Sequence, residues 1–243
     1  MDMSISEVRS VAVLTGAGVS AESGVPTFRG PGGLWHNHRP EDLATPHAFH
    51  RDPRLVWEWY DWRRGLIGAC QPNAAHHTLT AMESHWDDFV LVTQNVDGLH
   101  RLAGSRTVVE LHGNLRRMRC TRGCHRAWED RSVPLTDIPP RCPECGALAR
   151  PDVVWFGESL PEEALLAALA AARRCQLMLV VGTSALVQPA ASLPLAALQS
   201  GAYVVEINPQ PTPLSDRVDE TIREPAAVAL PRWWRNWTAE GNR

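Results

Sequence analysis

The chain has 243 residues, of which 44% are hydrophobic and 21% charged, and its formal net charge is −3. This length allows one large domain, or a domain with insertions, around a sizeable apolar core. The slightly negative charge gives no electrostatic attraction to nucleic acid or to an anionic membrane surface, so neither is an expected partner. The sequence contains no Lys, so all 24 basic residues are Arg.

The first residues lack the pattern of a secretory signal peptide, and the most apolar stretch, 164–181, is interrupted by Arg173 and Arg174. A membrane-spanning helix needs about 20 consecutive apolar residues. Four of the six Cys form two closely spaced pairs, which suits metal binding in a reducing compartment better than disulfides. We therefore expect a cytoplasmic protein without a membrane span; the sequence does not indicate its oligomeric state.

Apolar runs alternate with helical patterns along the chain. The predicted strands are 10–14, 89–93, 107–111, 177–182 and 202–207, and the predicted helices are 54–68, 74–85, 161–173 and 189–199. Asn73 is the expected N-cap of the second helix, and the tryptophan-rich segment 231–237 is expected to be a short docked helix. This alternation is typical of an α/β fold with a Rossmann-like parallel sheet covered by helices on both faces.

Two segments interrupt the alternation and predict insertions. Residues 114–152 are rich in Arg, Pro and Cys, and residues 30–75 combine several Pro with an aromatic helix. The predicted sheet domain comprises 1–35, 76–113 and 153–243, the helical insertion 36–75, and a small zinc-binding insertion 114–152.

The second insertion contains two cysteine pairs, Cys120 with Cys124 and Cys142 with Cys145. Four thiolates on two short turns can close a tetrahedron around zinc and leave no open position, which predicts one structural ion. His125 is a rival ligand to Cys124 because the first pair is one residue longer than usual. The other two cysteines, Cys70 and Cys175, are expected to be buried apolar residues.

Two further segments follow predicted strands. Residues 16–29 form a glycine turn, which could bring the backbone close to a pyrophosphate, although the glycine spacing differs from the usual dinucleotide fingerprint. Residues 93–100 place Gln, Asn, Asp and His at a strand end, where open α/β sheets bind ligands.

Together these two segments resemble the sirtuin family of NAD-dependent protein deacylases. The resemblance extends, in order and over nearly the whole chain, through His112-Gly113, the cysteine pairs, 153–158, 182–184 and Asn208. It implies that NAD is consumed: the acyl-lysine carbonyl oxygen attacks the nicotinamide ribose, nicotinamide leaves, and O-acyl-ADP-ribose is released. It also implies one structural zinc and acylated lysine side chains of proteins as substrates.

The resemblance assigns roles to individual residues. His112 matches the catalytic base. Asn95 and Asp97 match the groups that hold the ribose and the nicotinamide carboxamide, and Asn95 is also assigned to catalysis. The remaining expected NAD contacts are Gly16, Ala17, Gly18, Ser20, Glu22, Phe28, Arg29, Trp35, Gln94, Val96, Gly182, Thr183, Ser184, Asn208, Pro209, Gln210 and Ala226. Val154, Phe156, Gly157 and Glu158 belong to a segment expected to be extended and exposed, on which a peptide lies as an added strand.

Tyr60 and Arg63 share one face of the predicted 54–68 helix. One branch of the sirtuins carries such a Tyr-x-x-Arg pair in its acyl pocket, where it recognises the terminal carboxylate of succinyl- or malonyl-lysine. A guanidinium can bind a carboxylate bidentately, and a phenol adds one donor. The competing interpretation is an amphipathic helix whose Tyr packs inward and whose Arg is solvated. Pro31 stands where that branch often has Ala, so acyl selectivity stays open.

The main prediction is therefore an NAD-dependent protein-lysine deacylase acting on acetyl, succinyl or malonyl groups. A mono-ADP-ribosyltransferase would use the same activation of NAD but would not need an acyl pocket. A third interpretation is a non-enzymatic NAD-binding or zinc-ribbon module, and His112 beside residues 94–97 argues against it.

Overall fold

The computed structural model describes residues 7–27, 40–124 and 127–240. Its strands are β1 (Ser10–Thr15), β2 (Asp88–Thr93), β3 (Val108–Glu110), β4 (Gly113–Cys120), β5 (Trp128–Glu129), β6 (Ala149–Val153), β7 (Leu177–Val181), β8 (Tyr203–Ile207) and β9 (Glu220–Ile222). Its α-helices are α1 (Pro40–Leu43), α2 (Pro46–Arg51), α3 (Pro53–Gly68), α4 (Ala74–His85), α5 (Leu99–Leu102), α6 (Glu162–Arg174), α7 (Leu193–Gln199) and α8 (Ala226–Glu240). Two 3-10 helices, Ala17–Ser23 and Ala190–Ser192, lie between them.

The larger sheet has six strands in the order β3-β2-β1-β7-β8-β9. All its neighbouring strands are parallel, which confirms the predicted Rossmann-like sheet. The five predicted strands are all present, whereas β9 was not predicted. This edge strand has three residues and reads Glu-Thr-Ile, too short and too polar to produce a hydrophobic pattern.

The sheet is buried on both faces because its strands are apolar on both faces. In β1, Val11 and Val13 pack into one core, with α4 and α8, while Ala12 and Leu14 pack into the other, with α6 and α7. Successive side chains of a strand point to opposite faces, so a continuous apolar run produces two cores.

The smaller sheet is antiparallel, with the order β5-β4-β6. Its strands share a third core with α2 and α3. The Trp57 indole, fully buried on α3, donates a hydrogen bond to the Ala149 carbonyl of β6 at 2.8 Å. The helical and zinc-binding insertions thus pack against each other, although these two residues are 92 positions apart in the sequence. The domain boundaries given above stay predictions.

All five predicted helices are present, two of them with differences, whereas α1, α2 and α5 were not predicted. The 189–199 prediction resolves into the 3-10 helix Ala190–Ser192 followed by α7. The expected short C-terminal helix is the longer α8, which contains Pro231. Its tryptophans dock as predicted, with the Trp234 ring centroid 5.1 Å from that of Trp86. Among the described residues, no helix has both the length and the apolar character needed to cross a membrane.

Candidate functional site

The carboxyl ends of three adjacent strands form the site. Thr15, the last residue of β1, lies opposite Thr93, the last residue of β2, and their hydroxyls are 2.8 Å apart. The Gln94 side chain donates to the Thr183 hydroxyl, just after β7, at 3.0 Å. The structure therefore brings together the predicted residues 16–20, 94–97 and 182–183, because parallel strands end at the same edge of the sheet.

The glycines of the first motif allow two loops to approach closely. The Gly18 amide donates to the Gly182 carbonyl at 2.8 Å, and Gly182 has a φ of +61°. A Cβ on Gly182 would lie 2.3 Å from the Val19 nitrogen, so no other residue fits there without a backbone shift. The turn leads into the 3-10 helix Ala17–Ser23, not the α-helix of the usual dinucleotide motif. Bare glycine backbone beside amide and hydroxyl donors and a carboxylate acceptor suits the binding of a dinucleotide.

Asp97 is held at the centre of a buried hydrogen-bond network. Its carboxylate accepts from the Ser20 hydroxyl and from the Leu99 amide, both at 2.8 Å. The Asn95 amide donates to the Ser20 oxygen at 3.1 Å. Burial raises the pKa of Asp97, whereas these hydrogen bonds and the nearby Arg63 guanidinium oppose that rise.

Two buried histidines, His76 and His100, lie beside this network, and the sequence did not assign a role to either of them. His76 Nδ1 accepts from the Asn73 amide at 3.2 Å, so its Nε2 carries the proton that faces the Ser20 hydroxyl at 3.4 Å. His100 Nε2 lies 2.9 Å from the Thr15 hydroxyl, and the two imidazole centroids are 4.8 Å apart. The signal for His76 was its position three residues after the N-cap Asn73.

His112 lies between β3 and β4, at the boundary between the two sheets. Its Nδ1 is 2.9 Å from the Gln94 carbonyl oxygen. A carbonyl only accepts, so Nδ1 carries the proton, and the neutral ring presents Nε2 as a base. Burial lowers the pKa of His112, and the bond to Gln94 partly opposes that effect. The imidazole is therefore neutral at pH 7, as a general base requires.

Tyr60 and Arg63 are both buried, with 2% and 5% of their surface exposed. The Tyr60 hydroxyl accepts from the Trp155 indole at 2.9 Å, and the Arg63 guanidinium carbon lies 4.8 Å from the Trp59 ring centroid. Burial raises the pKa of Tyr60 and lowers that of Arg63. The interpretation in which Arg63 is solvated is therefore wrong.

The segment expected to bind peptide is extended only in part, since residues 156–158 form a turn. The Val154 amide donates to the His112 carbonyl at 2.9 Å, and Phe156 is 50% exposed. Gly157 has a φ of +87° in this turn. The Glu158 carboxylate has partners within the protein. Arg150 binds both of its oxygens, and the Trp155 backbone amide donates to it at 2.9 Å.

Three more of the expected NAD contacts follow later strands: Ser184 follows β7, Asn208 follows β8, and Ala226 follows β9. Ser184 is exposed, and the Asn208 side chain donates to the Gln210 carbonyl at 2.7 Å beside exposed Pro209. Ala226 is 2% exposed in the apolar core at the start of α8. The adjacent Ala227 amide donates to the Glu22 carboxylate at 3.4 Å.

Several predicted residues fall outside the described part of the chain. They are Phe28, Arg29 and Trp35 of the NAD site, Pro31 near the acyl pocket, and His125 as the rival zinc ligand.

The four predicted cysteines form one cluster in the smaller domain. Their sulfurs, from Cys120, Cys124, Cys142 and Cys145, all lie within 4.8 Å of one another. The sulfurs of Cys120 and Cys145 are 3.6 Å apart, those of Cys124 and Cys142 are 3.5 Å apart, and those of Cys124 and Cys145 are 3.1 Å apart. Zn–S bonds of about 2.3 Å in a tetrahedron place sulfurs about 3.8 Å apart, so a small outward shift accommodates the ion. The cluster fits a structural zinc.

Comparisons with known proteins agree with this fold and site. The sequence profile of the Sir2 family matches residues 16–189. A protein of Aquifex aeolicus named NAD-dependent protein deacylase is 53% identical over 91% of this chain and 92% of its own. One of Caldanaerobacter subterraneus, named NAD-dependent protein deacylase 1, is 55% identical over 84% of each chain.

Solved structures give the same result. A complex of a Sir2 homologue with NAD has a TM-score of 0.91 and 48% identity, covering 97% of this chain and 92% of its own. A Sir2 variant bound to a deacetylated p53 peptide and 3′-O-acetyl ADP-ribose has a TM-score of 0.85 and 33% identity, covering 95% and 94%. The chain belongs to the Sir2 family.

Proposed function

We propose that this chain is an NAD-dependent protein-lysine deacylase that releases nicotinamide and O-acyl-ADP-ribose. The observation that carries the proposal is the His112 imidazole, whose Nδ1 is held by the Gln94 carbonyl at 2.9 Å beside the Asn95–Asp97 loop. Membership of the Sir2 family, the names of the relatives and the NAD and peptide complexes of the neighbours support it.

His112 acts as the base in the proposed reaction. In that reaction the acyl-lysine carbonyl oxygen would bond to C1′ of the nicotinamide ribose as the bond from that carbon to nicotinamide breaks. The acyl group would then pass to a ribose hydroxyl of ADP-ribose, and the lysine amine would leave. The Gln94 carbonyl fixes the His112 proton on Nδ1, which leaves Nε2 to accept the proton of a ribose hydroxyl. Because burial lowers the pKa of His112, the base form persists below the ordinary histidine pKa of about 6.5.

Asn95, Asp97 and Ser20 orient the reacting half of NAD in this proposal. Their mutual hydrogen bonds fix each side chain before substrate arrives, which reduces the entropy lost on binding. The zinc ion has a structural role, because four thiolates leave no coordination position for substrate.

We further propose that the acyl pocket accepts groups that end in a carboxylate. Tyr60 and Arg63 are buried together on α3, and the Arg63 guanidinium lies within electrostatic reach of Asp97 in the proposed NAD loop. Attraction between opposite charges is stronger in a buried site than in water, so the guanidinium would bind a succinyl or malonyl carboxylate there.

The test is NAD-dependent turnover of matched acetyl-, malonyl- and succinyl-lysine peptides by the wild type and by Arg63→Met. A hydrogen bond to a charged group contributes about 1.5–3 kcal/mol, so we expect Arg63→Met to lose roughly 10- to 100-fold in succinyl kcat/KM and to keep acetyl activity. Arg54→Met is the matched control, since Arg54 lies exposed on the same helix.

His112→Ala distinguishes a deacylase from a module that only binds NAD. A deacylase loses turnover of every acyl peptide in this variant and retains NAD binding. Nicotinamide release by the wild type without acyl-peptide would instead favour the mono-ADP-ribosyltransferase. A wild type that prefers acetyl, with Arg63→Met unchanged, would limit the activity to deacetylation.

A further inference from the structure

We propose that Trp155 is a positioning residue for acyl selectivity: its indole N–H occupies the acceptor side of the Tyr60 hydroxyl and leaves the phenolic proton to donate to the acyl carboxylate. The inference rests on the proposed acyl preference and adds a residue to it. Trp155 lies 95 positions from Tyr60 in the sequence, and the two meet at 2.9 Å in the structure.

The bond between Trp155 and Tyr60 has one possible direction. An indole N–H donates and cannot accept, so the Tyr60 oxygen is the acceptor. Among the residues that the structure describes, the Trp155 indole is the one hydrogen-bond partner of the Tyr60 hydroxyl. Its own proton is therefore directed away from Trp155, and it can donate to a ligand oxygen.

Trp155 is held rigidly enough to impose this direction. The residue is 3% exposed, with the Phe49 ring centroid at 5.2 Å and the Arg150 guanidinium carbon 3.4 Å from the centre of its own ring. Its backbone amide donates to Glu158, whose two oxygens are bound by Arg150. Packing on one face and a cation over the ring leave the indole little freedom to turn.

The arrangement suits an anionic acyl end. The Arg63 guanidinium carbon lies 5.8 Å from the Tyr60 ring centroid, so both donors can serve one carboxylate. Burial raises the Tyr60 pKa, so the phenol keeps its proton at neutral pH. The carboxylate of Glu158, expected from the sequence to touch substrate, would act through Trp155 instead.

The experiment compares kcat/KM for succinyl- and acetyl-lysine peptides in Trp155→Phe, Tyr60→Phe and the double variant. Removing one hydrogen-bond donor should lower the succinyl-to-acetyl ratio about fivefold to tenfold in Trp155→Phe. If Trp155 acts through Tyr60, the double variant should show the ratio of Tyr60→Phe alone, because the two changes share one effect. Trp86→Phe is the control, since that buried indole likewise donates one hydrogen bond, to the Val8 carbonyl outside the site.

A merely structural Trp155 would lower succinyl and acetyl turnover together and leave their ratio unchanged, which would overturn the inference. Additive effects in the double variant would overturn it too. Should Trp155→Phe not fold, benzothienylalanine at position 155 keeps the ring shape and removes only the N–H donor. The succinyl-to-acetyl ratio of kcat/KM in that variant then tests the inference in the same way. A wild type without preference for acidic acyl groups would overturn the proposed selectivity itself. If the wild type prefers succinyl-lysine and Trp155→Phe keeps the same succinyl-to-acetyl ratio, only the role of Trp155 is overturned.

Discussion

Single residues in this site depend on hydrogen bonds that assign a proton to a particular atom. The Gln94 carbonyl fixes the His112 proton on Nδ1, and the Asn73 amide fixes the His76 proton on Nε2. In both cases a partner that can only accept, or only donate, decides the tautomer. The chemistry of the site is thus set by backbone groups as much as by its side chains.

His76 should make folding stability depend on pH. Burial lowers its pKa from 6.5 to about 4, so the unfolded chain binds more protons than the folded one between these values. Stability is therefore lost as the pH falls through this window. We expect His76 to contribute about 2 kcal/mol to the decrease in unfolding free energy between pH 7 and pH 5, measured by urea denaturation.

His76→Gln should flatten this part of the pH profile, even if it lowers stability at pH 7. His50→Gln is the control, because His50 is exposed. A His76→Gln profile as steep as that of the wild type would contradict the assignment.

At the scale of elements, Asn73 joins α4 to the segment after β1. Its side-chain oxygen accepts from the Ala75 amide at 2.9 Å, as predicted for an N-cap. Its side-chain nitrogen also donates to the Val19 carbonyl and the Ser23 hydroxyl, at 2.9 and 3.0 Å. One side chain therefore begins the helix and also fixes the 3-10 helix that carries Ser20.

Asn73→Ala should destabilise the protein by about 1–2 kcal/mol, because an N-cap and two tertiary hydrogen bonds are lost together. The measurement is the free energy of unfolding in guanidinium chloride. Asn236→Ala, on the exposed side of α8, should stay within about 0.5 kcal/mol of the wild type. Equal free energies of unfolding for Asn73→Ala and Asn236→Ala would show that the Asn73 cap adds nothing to stability.

At the scale of the whole molecule, the proposed catalytic histidine lies on the connection between the two sheets. His112 is followed directly by β4, whose far end is Cys120 of the four-cysteine cluster. The strand thus connects the proposed zinc site to the proposed base. We therefore expect order in the smaller domain to be a condition for placing His112.

Purified protein should contain one zinc ion per chain by mass spectrometry, and Cys142→Ser should lose zinc, activity and thermal stability. Structural zinc contributes directly to folding free energy, so the smaller sheet should loosen without it. Cys175→Ser is the control, because this buried cysteine lies outside the cluster. Full activity in a zinc-free preparation would contradict this prediction.

The sequence by itself determined the parallel sheet, the cysteine cluster and the two strand-end loops, because these depend on local apolar periodicity and on short motif spacings. The tertiary structure alone decided that Arg63 is buried, that Trp155 reaches Tyr60, that Glu158 binds Arg150 and that the two insertions share a core. These contacts join residues that are distant in sequence or depend on burial, and no local pattern specifies which distant side chain a buried polar group meets.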